Sequence, residues 1–202
     1  MPNTCSNVYA LILAAGGSTR MGRPKQLLRW KDRTLLERAV DSARRLLDER
    51  VIVVLGANEE LVRATIDFNA VETVLNPEWN TGLASSIRQG MKALPPTAEA
   101  VLVMLCDQPL VDSAHLKALL SSWRSEPERI VASQYHLTSG VPVVFPAAYF
   151  GRLRSLTGDK GAKALLTDFD PCVLKIPFAG AGLDIDTPTD FEQLTGQAFA
   201  EE

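Results

Sequence analysis

The sequence predicts an α/β fold: one domain with a mostly parallel, twisted sheet flanked by helices, Rossmann-like in plan. Three observations lead there. Short apolar runs alternate along the chain with segments of helical periodicity, the pattern of successive βαβ units. One run, Val101–Leu105, is apolar throughout, as a strand covered on both faces requires. No linker, repeat or low-complexity segment divides the 202 residues, so a single domain over 1–202 is expected.

Val8–Leu13 is the first strand. A helix begins at Thr34, where Thr34-Leu35-Leu36-Glu37 fits a capping box. Leu35, Leu36, Ala39, Val40, Ala43, Leu46 and Leu47 then repeat at helical spacing. Val51–Leu55, β-branched and stopped by Gly56, is the second strand. Asn58 is placed to cap a helix running to about Phe68, and Val71–Leu75 reads as the third strand. Leu83–Leu94 is amphipathic and ends at Pro95-Pro96. Beyond Val101–Leu105, Ser113 is expected to cap a helix through Trp123, and strands follow near Ile130–Ser133 and at Val141–Phe145. Pro142 suggests that the latter is an edge strand or starts there. Gly161–Phe169 reads as helical, Val173–Ile176 as extended and Thr189–Leu194 as a last helix.

Composition narrows the function. With 21 Lys and Arg against 24 Asp and Glu there is no broad basic surplus, so no nucleic-acid partner is expected. The polar Met1–Asn7 leads into an apolar stretch that soon reaches Gly16-Gly17. That stretch is too short for a membrane span and lacks the basic start of a signal peptide, so a cytoplasmic chain with no membrane contact is expected. Cys5, Cys106 and Cys172 are far apart and lack metal-ligand spacing, which suggests reduced thiols. Cys106 ends an apolar run and reads as a small buried hydrophobe rather than a catalytic thiol. His115 and His136 fit no metal or catalytic pattern, and His115 is expected on a solvated helix face.

After the first strand comes Leu13-Ala14-Ala15-Gly16-Gly17-Ser18-Thr19-Arg20-Met21-Gly22-Arg23-Pro24-Lys25. A small-residue loop at the carboxyl end of a sheet strand is where α/β folds bind ligands, and its N–H groups can cradle phosphate oxygens. Arg20, Arg23 and Lys25 add three cations suited to phosphate charge. Gly17 and Gly22 have Walker A spacing, but Arg23-Pro24 stands where Lys-Ser/Thr is needed. The dinucleotide fingerprint Gly-x-Gly-x-x-Gly is also absent.

Leu13–Gly22 with Pro24-Lys25 resembles the signature of the molybdenum-cofactor guanylyl- and cytidylyltransferase-like nucleotidyltransferases, a branch of the glycosyltransferase-A-like NTP transferases. The resemblance runs from Val8 to about Leu194. It implies that the backbone of Leu13, Ala14, Ala15, Gly16 and Gly17 faces the nucleotide and that Arg20 and Lys25 hold the triphosphate. Lys25 would also stabilise charge developing at the α-phosphate.

Displacement at an α-phosphate needs a divalent metal, and Mg²⁺ prefers a few carboxylates completed by water and substrate phosphates. Asp107 follows the Val101–Leu105 strand and Cys106, so its carboxylate should reach the carboxyl edge of the sheet. Asp107-Gln108-Pro109 matches the family's metal-binding turn, which makes Asp107 both a catalytic residue and a metal ligand. Asp184-Ile185-Asp186-Thr187-Pro188 fits a second family motif residue for residue. Alternation places Asp184 and Asp186 on one face of an extended segment, so either could join Asp107, and Asp186 is the choice. Thr187 and Pro188 also suit the start of the last helix.

Asn76-Pro77-Glu78-Trp79-Asn80-Thr81-Gly82-Leu83-Ala84-Ser85-Ser86-Ile87 also resembles the family, and Asn76, Gly82 and Ser85 are candidate nucleotide contacts at a helix N-terminus. Capping of that helix is the competing reading. Gly158–Ala162 resembles a stretch on the acceptor side, where Lys160 could meet a phosphate. Ala-Ala-Gly in the loop accompanies CTP in the family and Ala-Gly-Gly accompanies GTP; the Cβ of Ala15 would narrow the base pocket toward a pyrimidine. The resemblance therefore implies a Mg²⁺-dependent transfer of CMP from CTP to molybdopterin with release of pyrophosphate, and a molybdoenzyme as recipient of the product. The stretch Tyr135–Gly140 lacks small residues common in the family before its Gly-x-Pro, so the acceptor is less defined than the nucleotide chemistry. GTP, a sugar- or polyol-phosphate acceptor, and a non-catalytic cofactor chaperone remain the alternatives.

Overall fold

The computed structural model describes residues 7–69, 71–159, 161–196 and 199. In chain order its strands are β1 (Val8–Ala14), the short hairpin β2 (Arg29–Trp30) and β3 (Arg33–Thr34), β4 (Val51–Leu55) and β5 (Glu72–Leu75). There follow β6 (Ala100–Leu105), β7 (Ile130–Tyr135), β8 (Thr138–Pro146) and β9 (Val173–Pro177). The helices are α1 (Leu35–Leu47), α2 (Glu59–Thr65), α3 (Leu83–Ala93), α4 (Ser113–Ser125), α5 (Phe150–Arg154), α6 (Ala162–Asp168) and α7 (Pro188–Thr195).

Seven strands form one sheet in the order β5-β4-β1-β6-β8-β7-β9. β1 pairs in parallel with β4 and β6, β4 with β5, and β7 with β9. Only β8 runs antiparallel within it, between β6 and β7. This is the mostly parallel α/β sheet that the sequence predicts.

The period-2 alternation of β1 sorts its side chains into two cores. Val8, Ala10, Ile12 and Ala14 pack beneath α1 and α4, against Leu36, Val40, Leu116 and Leu119. Leu11 and Leu13 face the other layer, with Ile87 and Met91 of α3 and Leu153 of α5. A third, smaller cluster joins Met21, Leu28, Leu35, Ile185 and Phe191. It ties the segment after the first loop to the segment that ends in α7. No helix among the described residues is long and apolar enough to cross a membrane.

Several local expectations are corrected. The Thr34 capping box forms with Glu37 as predicted, but Asn58 makes no side-chain cap and sits in the left-handed region at φ 60°. The helix it precedes stops at Thr65, short of Phe68. Asp112, not Ser113, caps α4 by accepting from the His115 N–H. Pro142 lies neither on an edge nor at a strand start. β8 extends over nine residues inside the sheet, and the β7 register jumps from Ala132↔Val143 to Ser133↔Gly140, so Val141 and Pro142 fall in a bulge. A proline at a bulge leaves no ladder hydrogen bond unmet.

His115 is buried, contrary to its expected solvated face, because it lies on the side of α4 that carries Leu116, Leu119 and Trp123 against the sheet. Its ring stacks on Phe178, and Nε2 lies 2.8 Å from Ser133 Oγ. Ser133 Oγ gives its proton to the Pro142 carbonyl, so the histidine donates and Nε2 carries the hydrogen.

Candidate active site

The carboxyl ends of β1 and β6 converge, since the two strands are neighbours in register from Val8↔Ala100 to Leu13↔Leu105. The chain leaving β1 is the small-residue loop, and the chain leaving β6 is Cys106-Asp107. A main-chain hydrogen bond from Cys106 N to the Leu13 carbonyl keeps them together, and Ala57 N, just after β4, holds the Ala15 carbonyl from the other side of β1. A pocket of about 260 Å³ opens at this junction. Of the predicted residues, Leu13, Ala14, Ala15, Gly16, Lys25, Gly82 and Asp107 line it.

Lys25 is brought to the pocket by a short 3-10 turn, Lys25–Leu27, that begins directly after Pro24. Its Nζ donates to Asp107 Oδ2 and, at 3.0 Å, to Asp186 Oδ1. Arg20 completes the chain of charges with a 2.9 Å bond to Asp186 Oδ2. The two distant acidic motifs and the glycine loop therefore meet on one ammonium group.

Asp186 arrives through its neighbour. Ile185 is buried in the third cluster, and its N–H bonds the Asp107 carbonyl at 2.9 Å. Behind Asp186, Thr187 and Asp190 form a reciprocal capping box with Pro188 in the first turn of α7. Thr187 therefore starts the helix while Asp186 remains at the site.

The electrostatics follow from this packing. Burial opposes the charge on Lys25, but Asp107 and the hydrogen bonds to Asp107 and Asp186 outweigh it and hold the ammonium above the ordinary lysine value. Burial also works against the Asp186 charge, and Lys25 and then Arg20 override it, lowering its carboxyl. Asp184 goes the other way. Burial, then the neighbouring Asp107 charge, pushes its carboxyl up to about 6. The two acids separated by one residue are thus shifted in opposite directions. Burial pushes the Cys106 thiol up to about 12, as suits a packing residue and not a nucleophile. Cys106 and Cys172 are free thiols, and Cys5 lies outside the described residues.

Other predicted residues stand further back. Asn76 and Ser85 are buried and absent from the pocket wall. Asn76 Nδ2 donates to Ser85 Oγ and Ser86 Oγ, its Oδ1 accepts from Glu78 N, and Ser85 Oγ lies within bonding distance of the Glu78 and Gly82 carbonyls. They brace the turn that places Trp79 and Gly82 at the pocket. Gly17 lies under Trp79, where a Cβ would come 3.0 Å from the indole. Arg23, counted with the loop cations, stacks on Phe199 with its guanidinium carbon 4.0 Å from the ring centre. Lys160 lies outside the described residues. Tyr135–Gly140 is a tight β7–β8 turn with His136 and Leu137 both at positive φ.

Sequence reasoning missed Gln26 as a pocket residue, and within the Asn76–Ile87 motif it did not single out Trp79, Leu83 and Ser86. Trp79 had a signal, a large aromatic inside a motif of small and polar residues. A Cβ at Gly56 would lie 2.7 Å from Trp79 Cβ and 2.8 Å from Ala15 Cβ, so that glycine lets both side chains pack there.

Ligands held at the carboxyl ends of parallel strands, beside a glycine loop and paired charges, mark the nucleotide-binding class of α/β proteins. The family described as the MobA-like NTP transferase domain matches residues 10–172, and the chain belongs to it. It is a nucleotidyltransferase of that fold. The chain is similar to nicotine blue oxidoreductase of Paenarthrobacter nicotinovorans, with 35% identity over 168 residues, 79% of this chain and 81% of that protein. It is also similar to the solved homologue of Mycobacterium tuberculosis Rv0371c from Mycobacterium sp. strain JC1, with TM-score 0.84 and 34% identity over 95% of this chain and 96% of that one. Rv0371c of Mycobacterium tuberculosis H37Rv, solved in complex with manganese, gives TM-score 0.80 and 29% identity over 96% and 100% of the two chains.

Proposed function

We propose that the protein transfers CMP from CTP to the phosphate of molybdopterin, with a divalent metal, Mg²⁺ in the cell, and with release of pyrophosphate. The observation that carries this reading is the shared ammonium: Lys25 Nζ bonds Asp107 and Asp186 beside the Ala14–Gly16 wall of the pocket.

The residues fit a hard cation. Asp107 Oδ1 is buried without a hydrogen-bond partner among the described residues, an uncommon arrangement for a carboxylate unless it has a further ligand. Among the described residues no cluster of three or more His, Cys, Asp or Glu is set to cage a metal. Two carboxylates completed by substrate phosphates are what Mg²⁺ favours over an all-protein cage. Asp107 and Asp186 would hold it, and when bound it would screen charge on the phosphate oxygens. The manganese complex of the relative supports a divalent ion here.

The chain's own residues supply the rest. The loop residues Leu13–Gly17 approach the nucleotide, with Gly82 on the facing wall. Lys25 and Arg20 hold the triphosphate, and Lys25 stays charged throughout because its neighbours raise its affinity for the proton. An acceptor phosphate oxygen forms a bond to the α-phosphorus while the bond from that phosphorus to the α–β bridging oxygen breaks, and pyrophosphate departs. Charge gathers on the equatorial oxygens, where a preplaced ammonium stabilises it. The Ala15 Cβ, packed with Gly56 and Trp79, supports a base site shaped for a pyrimidine.

Incubation of the protein with Mg²⁺, molybdopterin and each triphosphate in turn, followed by pyrophosphate assay, tests this. CTP should give the fastest release. Release with GTP alone would reject the base assignment, and no release with any triphosphate would leave a binding protein in place of the enzyme.

A further inference from the structure

Gln26 is among the most deeply buried polar residues of the chain, at 1% exposure, and its side chain bonds the phosphate loop from within. Its Nε2 donates to the Ala14 carbonyl at 2.8 Å and to the Gly16 carbonyl at 2.9 Å. Its Oε1 faces Ser18 Oγ at 3.5 Å, and that hydroxyl accepts from the Lys25 N–H at 3.0 Å. With Ala57 N on the Ala15 carbonyl and Cys106 N on the Leu13 carbonyl, four successive loop carbonyls are engaged by the protein.

Peptide geometry gives this a consequence. In a trans peptide the N–H points opposite to the carbonyl of the same unit. The Ala15 carbonyl, held by Ala57, sets the direction of the Gly16 N–H. The Gly16 carbonyl, held by Gln26, sets that of the Gly17 N–H. Neither N–H donates a hydrogen bond among the described residues. Successive backbone amides left free in a loop can form an anion cradle.

We infer that Gln26 is a positioning residue for the polyphosphate: by holding the Ala14 and Gly16 carbonyls it keeps the loop amides turned outward to phosphate oxygens. Through Ser18 it also couples this loop to the backbone of Lys25, so cradle and ammonium are set together. The inference rests on the triphosphate reading above and adds the residue that organises its binding.

The test measures binding of inorganic tripolyphosphate and CTP to wild-type protein, Gln26→Met and Gln26→Glu, together with kcat, KM and the Gly16 and Gly17 amide resonances. Methionine keeps the volume without donors, and glutamate keeps the shape but turns a carboxylate toward two carbonyls. Both variants should bind tripolyphosphate about tenfold or more weakly, with KM for CTP rising more than kcat falls. The Gly16 and Gly17 resonances should both shift on titration of the wild type, and the Gly17 shift, set by the carbonyl that Gln26 holds, should be lost in the variants. A merely structural role would lower Tm and leave Kd and the resonances alone. Variants that fold and bind as the wild type overturn the inference. Should neither variant fold, wild-type Gly16 and Gly17 resonances unmoved by bound tripolyphosphate overturn it as well. If the wild type turns over CTP while the variants match it, this inference alone falls; if the wild type binds neither probe, the triphosphate reading falls and takes the inference with it.

Discussion

The N–H of Ile185 donates to the carbonyl of Asp107 at 2.9 Å, and that bond sets the spacing of the two acids that share Lys25. Ile185 is held in turn by Met21, Leu28, Leu35 and Phe191. A small apolar cluster thus governs where the Asp186 carboxylate stands.

Ile185→Ala should therefore affect both stability and turnover. Truncating a fully buried isoleucine costs about 2–4 kcal/mol. Urea denaturation should show the midpoint falling at unchanged m, and the folded fraction should turn over more slowly than wild type. Wild-type turnover per folded molecule would dissociate the cluster from the site.

Lys25→Ala should lower kcat by about 10²–10³, the usual loss for a single preplaced electrostatic donor. The fold should survive, because the side chain bonds only acids at the pocket. Lys25→Arg should not restore the rate, since a planar fork cannot place one cation between two carboxylates in the same way. Near-full activity in either variant, by pyrophosphate release, refutes the role.

The wild type is expected to bind Mn²⁺, read by electron paramagnetic resonance, and Asp107→Ala and Asp186→Ala should each abolish that signal. Chelation of the metal should stop turnover while leaving Tm little changed, because the metal is proposed to join substrate and not to hold the fold. Unaltered Mn²⁺ affinity in both variants would remove these residues as ligands.

Acid should destabilise the protein partly through His115. Burial lowers its pKa to about 4 from an ordinary 6.5, with Asp112 opposing. Above 6.5 the ring is neutral in both states. Between 6.5 and 4 the unfolded chain takes up the proton and the folded one does not, so stability falls as pH drops through that window. The loss approaches ~3 kcal/mol at most. His115→Phe keeps an aromatic ring for Phe178 and should flatten this part of the pH–stability profile. An unchanged profile would exclude His115 as the cause.

Gly82→Ala should cost about 1–3 kcal/mol, because φ 108° and ψ 168° lie in a region essentially reserved for glycine. The added Cβ would also stand 2.5 Å from the Gly158 carbonyl oxygen. Thermal denaturation should show the drop, with KM for the nucleotide raised because Gly82 lines the pocket.

Much of the fold was legible because its signals are local. The apolar run of β6, the Thr34–Glu37 box and the alternation in β1 each depend on residues a few positions apart. Lys25 and Asp107 could be singled out because they follow the ends of β1 and β6, and Asp186 because it directly precedes the Thr187 cap of the last helix. Pro142 and His115 were misread since their surroundings come from other strands: a bulge opposite Ala132 and Ser133 accommodates the proline, and Ser133 with Phe178 encloses the histidine. Gln26 and Trp79 gave no periodic pattern, and their contacts reach back to the loop from positions the spacing does not mark.

By itself the sequence determined the class of fold, the loop that follows β1 and the acids capable of joining it, because periodicity, capping and chemical type act over short stretches of chain. Only the tertiary structure decided that one ammonium joins both acids, that Asp184 and Asp186 are shifted in opposite directions, and that Gln26 bonds the loop carbonyls. Those outcomes depend on burial and on distances between segments remote in the chain, and neither quantity exists until the sheet has assembled.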